Sequence, residues 1–257
     1  MLRSRVIPCL LVHNKGLVKT VKFKSPKYVG DPINAVKIFN EKEVDELIVL
    51  DIDATVNGNE PDYQMIENLA NESRMPRCYG GGIKTPEQAQ KIIKLGVEKV
   101  ALSSEAIINP ELLVDIANII GRQSIVVVLD VKKTLFGSYE LLTHNGKKKV
   151  KKNLIELIGE LESFGIGELV INSIDNDGVM KGYDLPLVKK IREKIDVPLT
   201  VLGGAGSADD ILKLIEEYKV IGASAGSLFV FKGVYKAVLI NYLTEQALGK
   251  IRKISKS

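Results

Sequence analysis

Short apolar runs alternate with longer stretches of helical periodicity along the whole chain. Val6–Val12, Leu47–Ile52, Arg77–Tyr79, Val100–Leu102, Ile125–Val131, Leu169–Ile171, Leu199–Leu202 and Val220–Ser224 read as eight strands. Between them, apolar positions recur with helical spacing over Ile33–Asn40, Tyr63–Asn71, Pro86–Leu95, Pro110–Ile120, Leu154–Phe164, Leu187–Lys194, Ala208–Glu217 and Val234–Ala247, which predicts helices. Strict alternation of strand and helix implies a parallel sheet. Eight such units in 257 residues favour closure into a single (β/α)8 barrel over an open sheet. No linker divides the chain, so residues 1–257 form one domain, ending in a tail over 246–257.

The two halves of the pattern echo each other, which suggests half-barrels over about 1–120 and 121–245. Pro76-Arg-Cys-Tyr-Gly80-Gly81-Gly82-Ile83 matches Pro198-Leu-Thr-Val-Leu-Gly203-Gly204-Ala205. Lys99-Val-Ala-Leu-Ser103-Ser104 matches the run ending in Ala225-Gly226-Ser227, and Glu46-Leu-Ile-Val-Leu-Asp51 matches Glu168-Leu-Val-Ile-Asn172. Small-residue loops that open helices leave backbone N–H groups free for a phosphate. Gly81, Gly82, Ser103 and Ser104 form one candidate phosphate site. Asp177, Gly178, Gly203, Gly204, Gly226 and Ser227 form a second. A small molecule with a phosphate at each end fits both.

Composition excludes more than it selects. The net charge of +4 owes much to Lys147-Lys148-Lys149, Lys151-Lys152 and Lys250-Ile-Arg252-Lys253, read as a solvated loop and a frayed C-terminus. With 5% aromatic residues there is no basic, aromatic-interleaved face for nucleic acid. Cys9 and Cys78 read as buried free thiols of a reducing compartment. Two histidines and no Cys/His pair at ligand spacing argue against a metal site, and no cofactor motif is present. No signal peptide or membrane-spanning run is seen, so a cytoplasmic location without membrane partners is expected.

Barrel active sites lie at the C-terminal strand ends. The polar residues expected there are His13 and Lys19 after strand 1, and Asp51 and Asp53 after strand 2. Asp130 closes the apolar run of strand 5, and Asn172, Asp175 and Asp177 follow strand 6.

These motifs resemble a known family. Arg5-Val-Ile-Pro8-Cys9-Leu10, Gly30-Asp31-Pro32, Gly80-Gly81-Gly82-Ile83-Lys84, Asn172-Ser-Ile-Asp-Asn-Asp177-Gly178, Gly182-Tyr183-Asp184 and Gly203-Gly204-Ala205-Gly206 are similar to the cyclase subunit of imidazole glycerol phosphate synthase, HisF. The resemblance implies a barrel that pairs with a glutaminase subunit (HisH-like) and takes its ammonia through the core. It also implies a bisphosphorylated ribulose substrate. Arg5, Glu46, Lys99 and Glu168 fall where the family carries a charged ring at the ammonia inlet, and Lys19 falls on the substrate loop.

One position departs from the family. Ring closure there needs a carboxylate at the ends of strands 1 and 5. Strand 5 keeps Asp130, whereas strand 1 has Leu11. The repeat agrees, since Arg5 to Leu11 and Ser124 to Asp130 are both six-residue steps. The pattern resembles HisF-like paralogues associated with surface-polysaccharide (lipopolysaccharide) genes, where ammonia goes on to a third enzyme that amidinates an N-acetyl sugar. A HisF-like subunit of a glutamine amidotransferase complex is therefore expected, with its own cyclase activity in doubt. The alternative is a true cyclase of histidine biosynthesis in which Asp51, Asp53 or His13 replaces the lost acid. A solitary phosphosugar isomerase is disfavoured because it needs the same acid/base pair.

Overall fold

The computed structural model describes residues 3–254. Eight parallel strands close on themselves: β1 (Arg5–His13), β2 (Leu47–Asp51), β3 (Arg77–Gly80), β4 (Lys99–Leu102), β5 (Ile125–Lys133), β6 (Glu168–Ser173), β7 (Leu199–Leu202) and β8 (Gly222–Ala225). Neighbours pair in chain order, β8 pairs β1, and β5 pairs β6, so no edge is left. This is the (β/α)8 barrel that the alternating pattern predicts.

The helices begin where local chemistry tells them to. Asp31 caps Pro32–Glu41 through the N–H of Asn34, and Pro32 takes a position whose N–H has no helical partner. Thr85 with Gln88 and Ser207 with Asp210 form reciprocal capping boxes. The buried faces of these helices pack outside the barrel in one large apolar layer that includes Phe39, Ile92, Ile116, Leu157, Ile191 and Ile215. A second, smaller cluster fills the inside. It consists of Ile7 and Cys9 of β1, Ile48 of β2, Cys78 of β3, Ala101 of β4, Val126 and Val128 of β5, Val170 of β6 and Leu202 of β7, with Leu11 and Leu50 above them. Every second residue of a strand faces the same side. Along β1, Arg5, Ile7, Cys9, Leu11 and His13 therefore form one inward column.

Three excursions break the simple alternation. After β1 a hairpin runs through Gly16–Val21 and Lys24–Gly30. β5 is prolonged by pairing with Tyr139–Thr143, which pairs in turn with Lys148–Val150. After β8 comes a small hairpin, Phe231–Lys232 with Ala237–Val238. The helix expected over Val234–Ala247 is corrected by this last feature. Gly233 at φ +73° and Lys236 at φ +48° turn the chain back, and the amide of Lys236 donates to the carbonyl of Gly233. The helix begins only at Glu245 and runs to Ile254. The stretch expected as a frayed tail thus buries Ala247, Leu248 and Ile251 and packs beside the helix Ala208–Tyr218. Residues 255–257 of that stretch lie outside the described residues.

Candidate active site

At the N-terminal end of the barrel the structure brings Arg5, Glu46, Lys99 and Glu168 together. The Arg5 guanidinium pairs with Glu46 and lies 2.7 Å from Glu168. Lys99 Nζ is 2.8 Å from both Glu46 and Glu168. Thr200 Oγ1 donates to Glu168 at 2.5 Å. The two carboxylates are buried. Two positive and two negative groups make a closed, neutral ring. Burial alone would pull Arg5 and Lys99 down, but Glu168 and Glu46 outweigh it and hold both above their ordinary values. Burial would raise Glu168, and Arg5 and Lys99 instead bring it below the usual carboxylate range.

Above the ring the barrel interior is packed with apolar side chains. Burial pushes the Cys9 thiol up to about 11, and it pushes Cys78 well above its ordinary value. Both are therefore neutral thiols packed in the barrel interior as small apolar groups.

The opposite end opens into a cavity of about 580 Å³. Leu11 and Asp130 both line it, on strands four apart in an eight-stranded ring and hence on opposite walls. Asn172 donates from Nδ2 to Asp130 Oδ1 at 2.9 Å, and Asn172 Oδ1 is buried without a partner. Asp130 keeps contact with the cavity, yet protein surrounds it. Burial raises its pKa to about 7, the Asn172 hydrogen bond opposes the rise, and the Asp177 charge adds to it. A carboxyl group at that value can give or take a proton near neutral pH. Leu11 can do neither.

The expected phosphate-loop residues line the same cavity: Gly81, Gly82, Ser103 and Ser104 on one side, and Gly178, Gly203, Gly204, Gly226 and Ser227 on the other. Gly81 holds φ +128°, and a Cβ there would lie 2.5 Å from the Asp51 carbonyl oxygen. Only glycine fits so close an approach. Asp177 also reaches the wall, but its carboxylate braces the first hairpin by accepting from Thr20 Oγ1 at 2.7 Å and from the Phe23 amide at 3.1 Å. Its own N–H is taken by the Ser173 carbonyl. Lys19 lies on that hairpin and is buried. It donates to the Cys9 carbonyl at 2.5 Å beside Gly226. Burial lowers its pKa, and the nearby Cys9 and Asp177 only partly oppose this.

His13 closes the β1 column and is half-buried. Its Nδ1 is 2.6 Å from Asp53 Oδ1, and the other Asp53 oxygen accepts from the Asn14 amide at 2.7 Å. Asp51 turns its carboxylate onto the amides of Asp53 and Ala54, and so shapes the loop after β2. A roof was not foreseen from the sequence. His144, Asn145 and Lys147 line the cavity, and Asn145 Nδ2 bridges the mouth to the Ile52 carbonyl at 2.8 Å. The signal was present in Asn145-Gly146 between two β-prone runs, which is a hairpin turn.

Comparison with known proteins identifies the framework. The family described as "Histidine biosynthesis protein" matches residues 5–236. A Vibrio vulnificus protein named "Putative imidazole glycerol phosphate synthase subunit hisF3" is 64% identical over 243 residues, 94% of each chain. The chain belongs to the HisF family. A Pseudomonas aeruginosa protein named "Putative imidazole glycerol phosphate synthase subunit hisF2" is 52% identical over 94% of this chain and 96% of its own. The Streptococcus sanguinis "Imidazole glycerol phosphate synthase subunit HisF" is 38% identical over 89% of this chain and 91% of its own. This HisF-family chain is therefore more similar to relatives numbered hisF2 and hisF3 than to that one.

Proposed function

We propose that this chain is the synthase subunit of a glutamine amidotransferase complex that passes ammonia onward rather than closing an imidazole ring itself. A glutaminase subunit docks at the end bearing Arg5, Glu46, Lys99 and Glu168. Ammonia released there enters through the ring, crosses the bore as the neutral molecule and emerges in the cavity. An apolar bore suits NH3 and excludes ammonium, whose charge would be stranded there. The recipient is a sugar amidotransferase of surface-polysaccharide biosynthesis, and the glycine loops hold an anionic phosphorylated small molecule.

The observation that carries this reading is Leu11. It faces Asp130 across a cavity that the glycine-loop residues also line, and a positioned acid/base group is worth about 10²–10⁴-fold in rate. The test follows amide-labelled glutamine in a mixture of this chain, its glutaminase and the sugar amidotransferase. Label is expected in the amidinated sugar only when all three are present. Label in imidazole glycerol phosphate without the third enzyme would overturn the reading.

One observation favours a cyclase instead. His13, braced by Asp53, stands two residues above Leu11 on the same inward column and is the group placed to substitute for the lost acid.

A further inference from the structure

The charge of this chain is divided by position. The three excursions at the C-terminal end of the barrel, residues 16–30, 132–152 and 231–238, hold thirteen of the 36 Lys and Arg residues but only one of the 32 Asp and Glu residues. They are positive by twelve charges, while the rest of the chain is negative by eight. Among the described residues, only Lys149 and Lys152 of these lysines form salt bridges with a carboxylate, to Glu140 and Glu160.

Exposed apolar side chains gather on the same excursions. Leu135 and Phe136 cap the second, with Phe136 99% exposed, and Val234 and Tyr235 cap the third, with Tyr235 97% exposed. Val21 and Tyr28 are exposed on the first. Turns that carry bare aromatic and branched side chains between lysines form a patch of the kind that marks an interaction site. The first two excursions also supply cavity-lining residues, among them Phe23, Pro26, Asn145 and Lys147. The first two excursions therefore border the mouth of the cavity, and the third joins the first where Lys27 Nζ lies 5.2 Å from the centre of the Phe231 ring.

We infer that this patch docks a protein with an acidic face, and that this protein is the enzyme that receives the ammonia. The inference rests on the conduit reading above and names its outlet surface. Two other occupants fit less well. A second copy joined patch to patch would press one strongly positive face on another. A lipid surface would cover the outlet with hydrocarbon, whereas a protein can bring its own opening to the mouth and seal it from water. Leu135, Phe136, Val234 and Tyr235 act as anchors seated in the partner, and the lysines speed and orient the encounter.

The test compares wild type with a variant carrying Leu135→Ser, Phe136→Ser, Val234→Ser and Tyr235→Ser. All four side chains lie outside the cavity, and the fold is checked by an unchanged melting temperature. Binding to the purified sugar amidotransferase is measured with the glutaminase present. The variant is expected to bind at least about tenfold more weakly, and binding of the wild type is expected to fall steeply with salt. Transfer of glutamine-derived nitrogen should drop in the variant, while use of free ammonium by the amidotransferase should not. Equal binding and equal transfer would overturn the docking inference and leave the conduit reading standing. No transfer with wild type would remove both. Loss of a wild-type dimer in the variant would reassign the surface to a second copy. Flotation of wild type, but not variant, with vesicles of phosphatidylcholine and phosphatidylglycerol would reassign it to lipid. Either reassignment overturns the inference.

Discussion

The two ends of this barrel treat charge in opposite ways. At the N-terminal end every ionised side chain of the ring has an opposite partner, and the sum is neutral. At the C-terminal end His13 pairs with Asp53, but other cavity groups are met by neutral partners. Asp130 is met by an amide, Asp51 by two backbone amides and Lys19 by a carbonyl. Burial then moves each toward its neutral form: Asp130, Asp51 and Asp177 upward, and Lys19 downward. Paired charge fixes structure and keeps its protonation state. Charge held by neutral donors and acceptors stays poised to exchange protons.

The contrast is broken most severely at Glu168. Glu168→Ala strands Arg5 and Lys99 over one remaining carboxylate. Removing one partner of a buried network costs about 3–5 kcal/mol, and urea unfolding should show a loss of that order with no change in anion affinity at the other end.

The Asp130 carboxylate gives a pH-dependent counterpart. Its folded value of about 7 lies above the ordinary 3.8, so the folded state binds the proton more tightly than the unfolded state does. The stability contributed by that proton is fully present below about pH 4 and is lost as pH rises through about 7. The full span corresponds to no more than about 4 kcal/mol, and contact with the cavity reduces it. Asp130→Asn should flatten this slope, gaining on wild type at alkaline pH. Parallel unfolding curves for the two proteins across that window would show that the carboxyl is ordinary.

Gly81→Ala should cost about 1–3 kcal/mol, read as a lower melting temperature, because the added Cβ meets the Asp51 backbone. Among stability effects, His13→Gln should be the smallest. A half-exposed pair with Asp53 contributes about 0–1 kcal/mol, and thermal melting should barely move.

Much of this was legible in the chain itself. The eight strands are short apolar runs bounded by helical periodicity, and that signal survives because both faces of a barrel strand are buried. The ring, and the opposed positions of Leu11 and Asp130, were legible through the repeat and the resemblance. The excursions were not. Tyr139–Thr143 and Lys148–Val150 are too short to stand out beside the lysine cluster, so only the Asn145-Gly146 turn marks them, and the apolar spacing of Val234–Ala247 mimics a helix although Gly233 turns the chain. The bond between His13 and Asp53 joins residues forty positions apart, and the burial of Lys19 depends on a hairpin folding over β8. Neither has a local signature.

The proposed function requires that this barrel keep its chamber while lacking proton transfer at the β1 wall. The most direct measurement supplies saturating ammonium and the bisphosphorylated ribulose substrate of the cyclase to wild type and to Leu11→Asp. No imidazole glycerol phosphate is expected from wild type, with a gain of at least about 10²-fold in the variant. Turnover by wild type at an ordinary enzymatic rate would overturn the proposal.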